Sequence, residues 1–402
     1  MIKYIDEADI LNKRVLLRVD YNVSLNPNHS IADDLRIKQS LPTLNYLLER
    51  KNTVIVISHL DNPKGRDSTY SLKPVVERLQ KYLPDYRITL IDDFFSHSHN
   101  NEQRTTLAQR SLGEAGNSEP SIVVLENIRF YPEEKDNDET FAKQLAALGD
   151  VYINDAFGVS HRNDASVVSL PKFLPSYGGL LLKKEIQTIS HAIENPKKPF
   201  VAIVGGVKIS TKLPLLDKLI EIADYLLVGG ALANTLLAAQ GINIGHSLFE
   251  PDEIENAKRL FTHAKQKQTE LLLPIDVVLN NSMSTDLQNI PTESMIVDIG
   301  PKTQKLYINT ILKANTIIWN GPMGKFEEHA FRKGTDALYH AIAENSQAIS
   351  ILGGGETIAA LSHEKHLEAI THISTGGGAM LEFIEKGSLP GIEALKRSSI
   401  TG

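Results

Sequence analysis

The chain has 402 residues, 42% of them hydrophobic and 23% charged, with a formal net charge of −7. That length suggests two or three domains of ~150 residues each, and the mildly acidic balance excludes a general nucleic-acid footprint. No cysteine is present, which rules out disulfides, thiolate metal sites and cysteine nucleophiles.

The opening MIKYIDEADI is acidic and has no apolar core segment, so no secretory signal is expected there. Short β-branched runs then alternate with helical patterns. The first half offers RVLLRVDYN (14–22), TVIVISHL (53–60), ITLIDD (88–93), SIVVLENIRF (121–130) and VYINDAFG (151–158). A polar stretch at 96–120 reads as surface structure, and His97 and His99 within it read as solvated rather than metal-binding. The segment 178–194 has apolar residues at helical spacing, Leu181, Leu182, Ile186, Ile189 and Ile193, and is expected to be a connecting helix. The second half offers FVAIVGG (200–206), YLLVGG (225–230), LLLPIDVVL (271–279), TIIWNGP (316–322), ISILGGG (349–355) and HISTGGG (372–378). The most apolar window, YLLVGGALANTLLAAQG, is broken by Gly229, Gly230 and Asn234 and is too short to span a membrane. A cytoplasmic protein that engages neither membrane nor nucleic acid is expected.

Near-continuous apolar strands separated by helices predict parallel sheets covered on both faces. The fold class read from this pattern is α/β, with two doubly wound, Rossmann-like parallel-sheet domains. The expected boundaries are 1–177, the connecting helix at 178–194, and 195–382.

The two halves differ at their strand ends, which is where open α/β sheets place ligands. First-half strands finish in side chains: Asp20 and Asn22, His59, Arg129, and just beyond them Arg36 and Arg162. Arginine forms bidentate, charge-assisted bonds to carboxylate and phosphate. Taken singly, each is read as a surface charge or a structural ion pair; Arg36, His59, Arg129 and Arg162 together at corresponding strand ends predict a small-anion site. Asp20 and Asn22 fit hydroxyl binding and ordinary turn formation equally well.

Second-half strands finish in glycine, which lets backbone amides approach an anion. GGVKISTK adds Lys208 and Lys212; GGGETIAAL adds Glu356 and Thr357 at a helix start. A carboxylate there is repelled by phosphate unless a cation sits between, and Mg²⁺ takes carboxylate and phosphate oxygens together. The simpler alternative is an acid favoured by the helix macrodipole; the triple glycine and lysine pair tip the reading toward a Mg²⁺-nucleotide site. His161 and His191 suggest no metal cluster, and Trp319 reads as packing. A dinucleotide-dependent dehydrogenase would need Gly-x-Gly-x-x-Gly after its first strand, and none is present. A two-domain anion-binding protein would need neither the lysine pair nor Glu356.

In their order, RVDYNV, DDLRI, SHL, LENIRF, DAFGVSHR, GGVKISTK, WNGPMGKFE, GGGET and STGGGA resemble the phosphoglycerate kinase family across essentially the whole chain. The resemblance implies reversible phosphoryl transfer from 1,3-bisphosphoglycerate to ADP, giving 3-phosphoglycerate and ATP, in a closed interdomain cleft of a monomer. It implies that Asp20, Asn22, Arg36, His59, Arg129 and Arg162 bind phosphoglycerate. It implies nucleotide contacts from Lys208, Lys212, Gly300, Glu327, Gly354, Gly355, Glu356 and Thr357, with Mg²⁺ at Glu356. Arg36 and Lys212, with Lys208, are expected to flank the moving phosphoryl group, near Gly376, Gly377 and Gly378. The tail 383–402 is expected to fold back onto the first domain. The chain departs from the family pattern at Asn62, where a phosphate-holding arginine is usual, with Arg66 or Lys64 as candidates to compensate. It departs also at Glu356, where aspartate is usual, at Ser24 for proline, and at HRND for His-Arg-Ala-His.

Overall fold

The computed structural model describes residues 1–93, 120–361 and 367–398. His97, His99 and nearly all of the polar stretch around them lie outside the described residues. The chain divides into two compact units, Met1–Ile186 with Ser388–Gly402, and Gln187–Gly387.

The first unit is built on six parallel strands: β1 (Arg14–Arg18), β2 (Thr53–Ile57), β3 (Arg87–Ile91), β4 (Ser121–Leu125), β5 (Val151–Asn154) and β6 (Ser176–Gly178). Their order is β3-β4-β2-β1-β5-β6. Register places Leu17 of β1 between Val56 of β2 and Ile153 of β5, all fully buried. Helix Leu35–Glu49 contributes Ile37, Leu44, Leu47 and Leu48 to the same core. Each such buried side chain contributes roughly 1.5–3 kcal/mol, so the sheet is a rigid base for the loops at its carboxyl edge.

β6 is not among the strands expected from the sequence; it lies at the end of the expected first domain, and only its last residue, Gly178, falls in the segment expected to be the connecting helix, which begins two residues later as Leu180–Glu194. The Asp155 carboxylate caps that helix, its Oδ1 accepting from the amides of Leu181 and Leu182 at 2.9 and 3.1 Å. Burial pushes the Asp155 pKa up to about 6. The division between units falls inside this helix. The chain returns to the first unit at Ser388. There helix Pro390–Ser398 lies against the segment after β5, with the Gly391 amide donating to the Ser160 carbonyl at 2.8 Å.

The second unit has a six-stranded parallel sheet of β7 (Phe200–Val204), β8 (Tyr225–Val228), β9 (Glu270–Leu272), β13 (Thr316–Asn320), β14 (Ile349–Gly353) and β15 (His372–Ile373), in the order β15-β14-β13-β7-β8-β9. Trp319 is fully buried in its core and donates its indole N–H to the Gly321 carbonyl at 2.7 Å. The expected single strand over 271–279 is two strands. Pro274 cannot donate to a sheet ladder, and the chain breaks there between β9 and β10 (Asp276–Leu279). β10 joins β11 (Ser284–Asp286) and β12 (Ile296–Ile299) in a small antiparallel sheet.

Candidate active site

In the first unit, the loops after β1, β2, β4 and β5 meet at one edge of the sheet. Asp20 follows β1 and is 8% exposed; its Oδ1 accepts the Asn22 amide at 3.1 Å and its Oδ2 accepts from Arg36 Nη1. Burial pushes the Asp20 pKa up, but Arg36, then His59, pull it down more, leaving it at about 2. Arg36 stands on the first turn of helix Leu35–Glu49 and is partly exposed. Asn22 Oδ1 accepts the Asp61 amide at 2.7 Å, tying the β1 loop to the β2 loop.

His59 is buried, and burial holds its pKa well below the ordinary imidazole value. Its Nδ1 has no hydrogen-bond partner and lies 3.9 Å from Asp20 Oδ1. Arg129 is 5% exposed; Nη1 donates to the Asp61 carbonyl at 2.6 Å, while Nε and Nη2 have no partner. The nearest carboxylate, Asp164, keeps its Oδ2 3.8 Å from Nη2. Arg162 is exposed and close enough to Arg129 to act on its charge. The sequence brought these six residues to one edge, and the structure places them there.

Asn62 sits beside them and is contacted by the Lys135 ammonium. Arg66 is committed elsewhere: it donates to the Asp92 carboxylate at 2.7 Å and the Asp92 carbonyl at 3.0 Å. Lys64 is exposed. Sequence reasoning missed a buried layer beneath the site. Arg18, fully buried at the end of β1, donates from Nε to Ser166 Oγ at 2.8 Å, and the buried Glu134 carboxylate accepts from the Ser166 amide and hydroxyl at 2.8 and 2.5 Å. Burial raises the Glu134 pKa. The one signal in the sequence was a charge inside an apolar strand, RVLLR.

In the second unit, glycine corners follow β7, β8, β13 and β14. Gly206 has φ +107°, a conformation L side chains rarely adopt, and its amide donates to the Pro322 carbonyl at 3.0 Å. Lys212 reaches back under this corner, donating to the Gly205 carbonyl at 2.6 Å and to Asn320 Oδ1 at 2.8 Å. Burial pulls its pKa down to about 8, against an upward pull from Glu356. Lys208 is exposed.

Asn320 was not singled out from the sequence, though WNGPMG contains it. Its Nδ2 donates to the Gly353 carbonyl at 2.9 Å, so it joins the β7, β13 and β14 corners. Thr357 completes the join: its hydroxyl donates to the Gly353 carbonyl at 3.0 Å and accepts the Gly321 amide at 2.7 Å. Thr357 is fully buried, so its side chain braces the corner. Gly354, at φ +106°, and Gly355 lead into helix Gly355–Ala360, which carries the exposed Glu356. Gly377 packs so closely on Gly354 that a Cβ there would stand 2.9 Å from the Gly354 Cα. Gly376 and Gly378 flank it at the start of helix Gly377–Lys386.

Beside these corners is a cavity of about 510 Å³ whose walls include Gly206, Gly230, Asn234, Leu248, Met323 and Glu327. Glu356 stands at the glycine-corner side of it. Gly300 is not part of its wall. The helix Pro301–Ile311 that Gly300 precedes is capped by Asp276, whose carboxylate accepts the amides of Lys302 and Thr303 at 2.9 and 2.7 Å. That helix end is therefore already capped by a side chain of the chain itself.

The family model for phosphoglycerate kinase matches residues 5–387 of this chain. The chain belongs to the phosphoglycerate kinase family. It is 42% identical over 401 residues to a phosphoglycerate kinase of Pelotomaculum thermopropionicum, covering 98% of each chain. It is 43% identical over 405 residues to the cytosolic phosphoglycerate kinase 3 of Arabidopsis thaliana, covering 97% of this chain and 96% of the relative. The phosphoglycerate kinase structures from Coxiella burnetii and Pyrococcus horikoshii superpose with TM-scores of 0.84 and 0.83 over all of both chains, at 36% and 30% identity. The two six-stranded parallel sheets are the fold of those kinases, and the activity is phosphoglycerate kinase activity in glycolysis. Among the described residues no helix is long and apolar enough to cross a membrane.

Proposed function

We propose that the first unit binds 3-phosphoglycerate or 1,3-bisphosphoglycerate through Asp20, Asn22, Arg36, His59, Arg129 and Arg162, and that the second binds ADP or ATP beside Lys208, Lys212, Glu327, Gly354, Gly355 and Glu356. The observation that carries the first half is the Arg129 guanidinium, buried with Nε and Nη2 unpartnered. A buried cation with unmet donors is costly unless an acceptor arrives, and a phosphoglycerate oxygen is such an acceptor. The cavity and its glycine corners support the second half, in which we assign Glu327 to the ribose hydroxyls and the glycines Gly376, Gly377 and Gly378 to the neighbourhood of the transferred phosphate.

Among the described residues no three His, Asp or Glu side chains converge as a metal cage. Mg²⁺ needs none, since it binds through one or two carboxylates plus phosphate oxygens. The single exposed carboxylate of Glu356 beside phosphate-cradling glycines fits that donor set. Bound there with the nucleotide, the ion supplies neutralising charge to the phosphates.

The acceptor carboxylate of 3-phosphoglycerate is ionised at neutral pH, so the chain needs no general base. Its residues align and stabilise charge. The Asp20 carboxylate, held ionised by Arg36, fixes that guanidinium's direction. Neutral His59 offers a hydrogen bond without adding charge. Transfer requires the substrate carboxylate to reach the terminal phosphate in line, and we assign Arg36 and Lys212 to stabilising the charge on the moving phosphoryl group. The kinase is proposed to work in the cytoplasm, as its Arabidopsis relative is named cytosolic.

The test is Arg129→Gln in a coupled assay with Mg-ATP, 3-phosphoglycerate, glyceraldehyde-phosphate dehydrogenase and NADH. Loss of one charged hydrogen bond costs ~1.5–3 kcal/mol, so KM for 3-phosphoglycerate should rise at least tenfold while KM for ATP stays within twofold. An unchanged phosphoglycerate KM removes Arg129 from the site.

A further inference from the structure

Two buried guanidiniums lie in and beneath the strand-end cluster of the first unit, and each faces one buried carboxylate. Arg18 Nη2 stands 4.0 Å from Glu134 Oε1, and Arg129 Nη2 stands 3.8 Å from Asp164 Oδ2. The two carboxylates are held differently. Glu134 is locked in place by Ser166, whose amide donates to Oε2 at 2.8 Å and whose hydroxyl donates to Oε1 at 2.5 Å. Asp164 is 6% exposed, and its Oδ2 is buried with no hydrogen-bond partner.

Two ordinary reasons for an aspartate at this position do not apply. Asp164 is the N-cap of the helical turn Ala165–Ser169, yet its side chain makes no cap hydrogen bond. At 3.8 Å it is too far from Arg129 to hydrogen-bond. The direction of that guanidinium is fixed by Nη1, which donates to the Asp61 carbonyl at 2.6 Å. What remains is charge. Burial disfavours the Arg129 cation, as do the Arg162 and Arg18 charges, and Asp164 pulls the other way. Asp164 is also the last residue of HRND, where the chain carries an acid in place of the histidine of the family pattern.

We infer that Asp164 is a resident counter-charge of the phosphoglycerate site: its carboxylate balances Arg129 while the site is free and repels the anionic substrate when it binds, so it sets how loosely that substrate is held. This rests on the proposed reading of the first unit as the phosphoglycerate site. Asp164 acts through space and touches no ligand. Charges a few ångströms apart are weakly screened where water is excluded. The site therefore holds a multiply charged ligand less tightly than its arginines alone would hold it. In the ATP-forming direction 3-phosphoglycerate is the product, and a looser hold speeds its release.

The experiment measures Kd for 3-phosphoglycerate by titration calorimetry, and the thermal midpoint with and without it, in the wild type, Asp164→Asn and Asp164→Ser. Asp164→Asn removes the charge at nearly constant shape. It should lower Kd for 3-phosphoglycerate by about tenfold, the scale of a close like-charge repulsion removed. Kd for Mg-ADP should stay within about twofold, because solvent screens the charge from a separate site. The free variant should melt below the wild type, since Arg129 is left uncompensated. Added 3-phosphoglycerate should then raise its midpoint by more than it raises that of the wild type. Asp164→Ser removes the same charge in a smaller side chain and should move Kd the same way. A merely structural aspartate gives a lower midpoint with Kd unchanged or raised, and that result overturns the inference. So does failure of both variants to fold, which makes the charge part of the framework. Arg129→Gln separates the two levels. If it weakens 3-phosphoglycerate while Asp164→Asn changes nothing, only the role of Asp164 fails. If neither moves Kd, the substrate does not bind at this cluster and the proposed site fails with it.

Discussion

The Lys212 ammonium donates to the Asn320 side-chain oxygen at 2.8 Å, and Asn320 in turn donates to the Gly353 carbonyl at 2.9 Å. A single asparagine thus couples the lysine under the β7 corner to the glycine corner that carries Glu356. The contact orients Lys212 without neutralising it, because an amide oxygen brings dipole but no charge.

That arrangement makes the enzyme sensitive to alkali. Burial holds the Lys212 pKa at about 8. The charged form is the one proposed to act on phosphate, so kcat/KM for Mg-ADP should fall as pH rises through about 8. Asn320→Asp puts a carboxylate against the ammonium and favours its charged form. The alkaline limb should move upward by about one pH unit, although KM changes as well. A profile flat to pH 10 in the wild type would deny Lys212 a role as a charged group.

The loss of the usual arginine at Asn62 leaves the question of what replaces it. Arg66 is tied to Asp92, and both side chains are well exposed. Exposed pairs contribute little, and this one engages Arg66 outside the cluster of Asp20, His59 and Arg129. Arg66→Ala should leave KM for 3-phosphoglycerate within twofold. Lys135 contacts Asn62 instead, so Lys135→Ala should raise that KM several-fold. Steady-state kinetics on the two variants decides between them.

The fold was legible because its strands are continuous apolar runs, as in β2 and β4, and because each run ends in a glycine or polar cluster. The antiparallel strands β11 and β12 are short, and β12 alternates apolar and polar residues only weakly, so neither stood out. Site residues at strand tips were legible for the same reason the fold was. The Arg18–Glu134 layer was not, because its members lie far apart in sequence and nothing local marks a charge as buried. The role of Asp276 was likewise hidden: it caps the helix that follows Gly300 from a strand, 26 residues before the Lys302 amide it accepts, and nothing local marks it.

Asp298 predicts how the second unit responds to pH. It is 3% exposed, and burial raises its pKa to about 7. The folded state therefore binds a proton that the unfolded chain, with its ordinary carboxylate near 4, has already released. Between about pH 4 and 7 this group's contribution to stability falls as pH rises, then levels off above 7. Asp155 acts in the same direction in the first unit, up to about pH 6. The thermal midpoint of Asp298→Asn should depend less on pH between 5 and 8 than that of the wild type, as read by calorimetry. Parallel curves would mean that Asp298 titrates normally in the folded protein.

Thr357 separates bracing from binding. Its hydroxyl donates to the Gly353 carbonyl and accepts the Gly321 amide, and the residue is fully buried. Thr357→Val keeps the shape but strands the buried Gly321 amide, at a cost of ~1–3 kcal/mol, while the Gly353 carbonyl keeps its bond from Asn320. The variant should lose stability in urea by that order. Thr357→Ser keeps the hydroxyl and should recover most of it. Glu356→Gln, on an exposed side chain, should leave stability within about 0.5 kcal/mol, as surface substitutions usually do. It should instead raise the Mg²⁺ concentration needed for half-maximal rate. If the valine variant is as stable as wild type while its nucleotide KM rises sharply, the hydroxyl serves the ligand and not the corner.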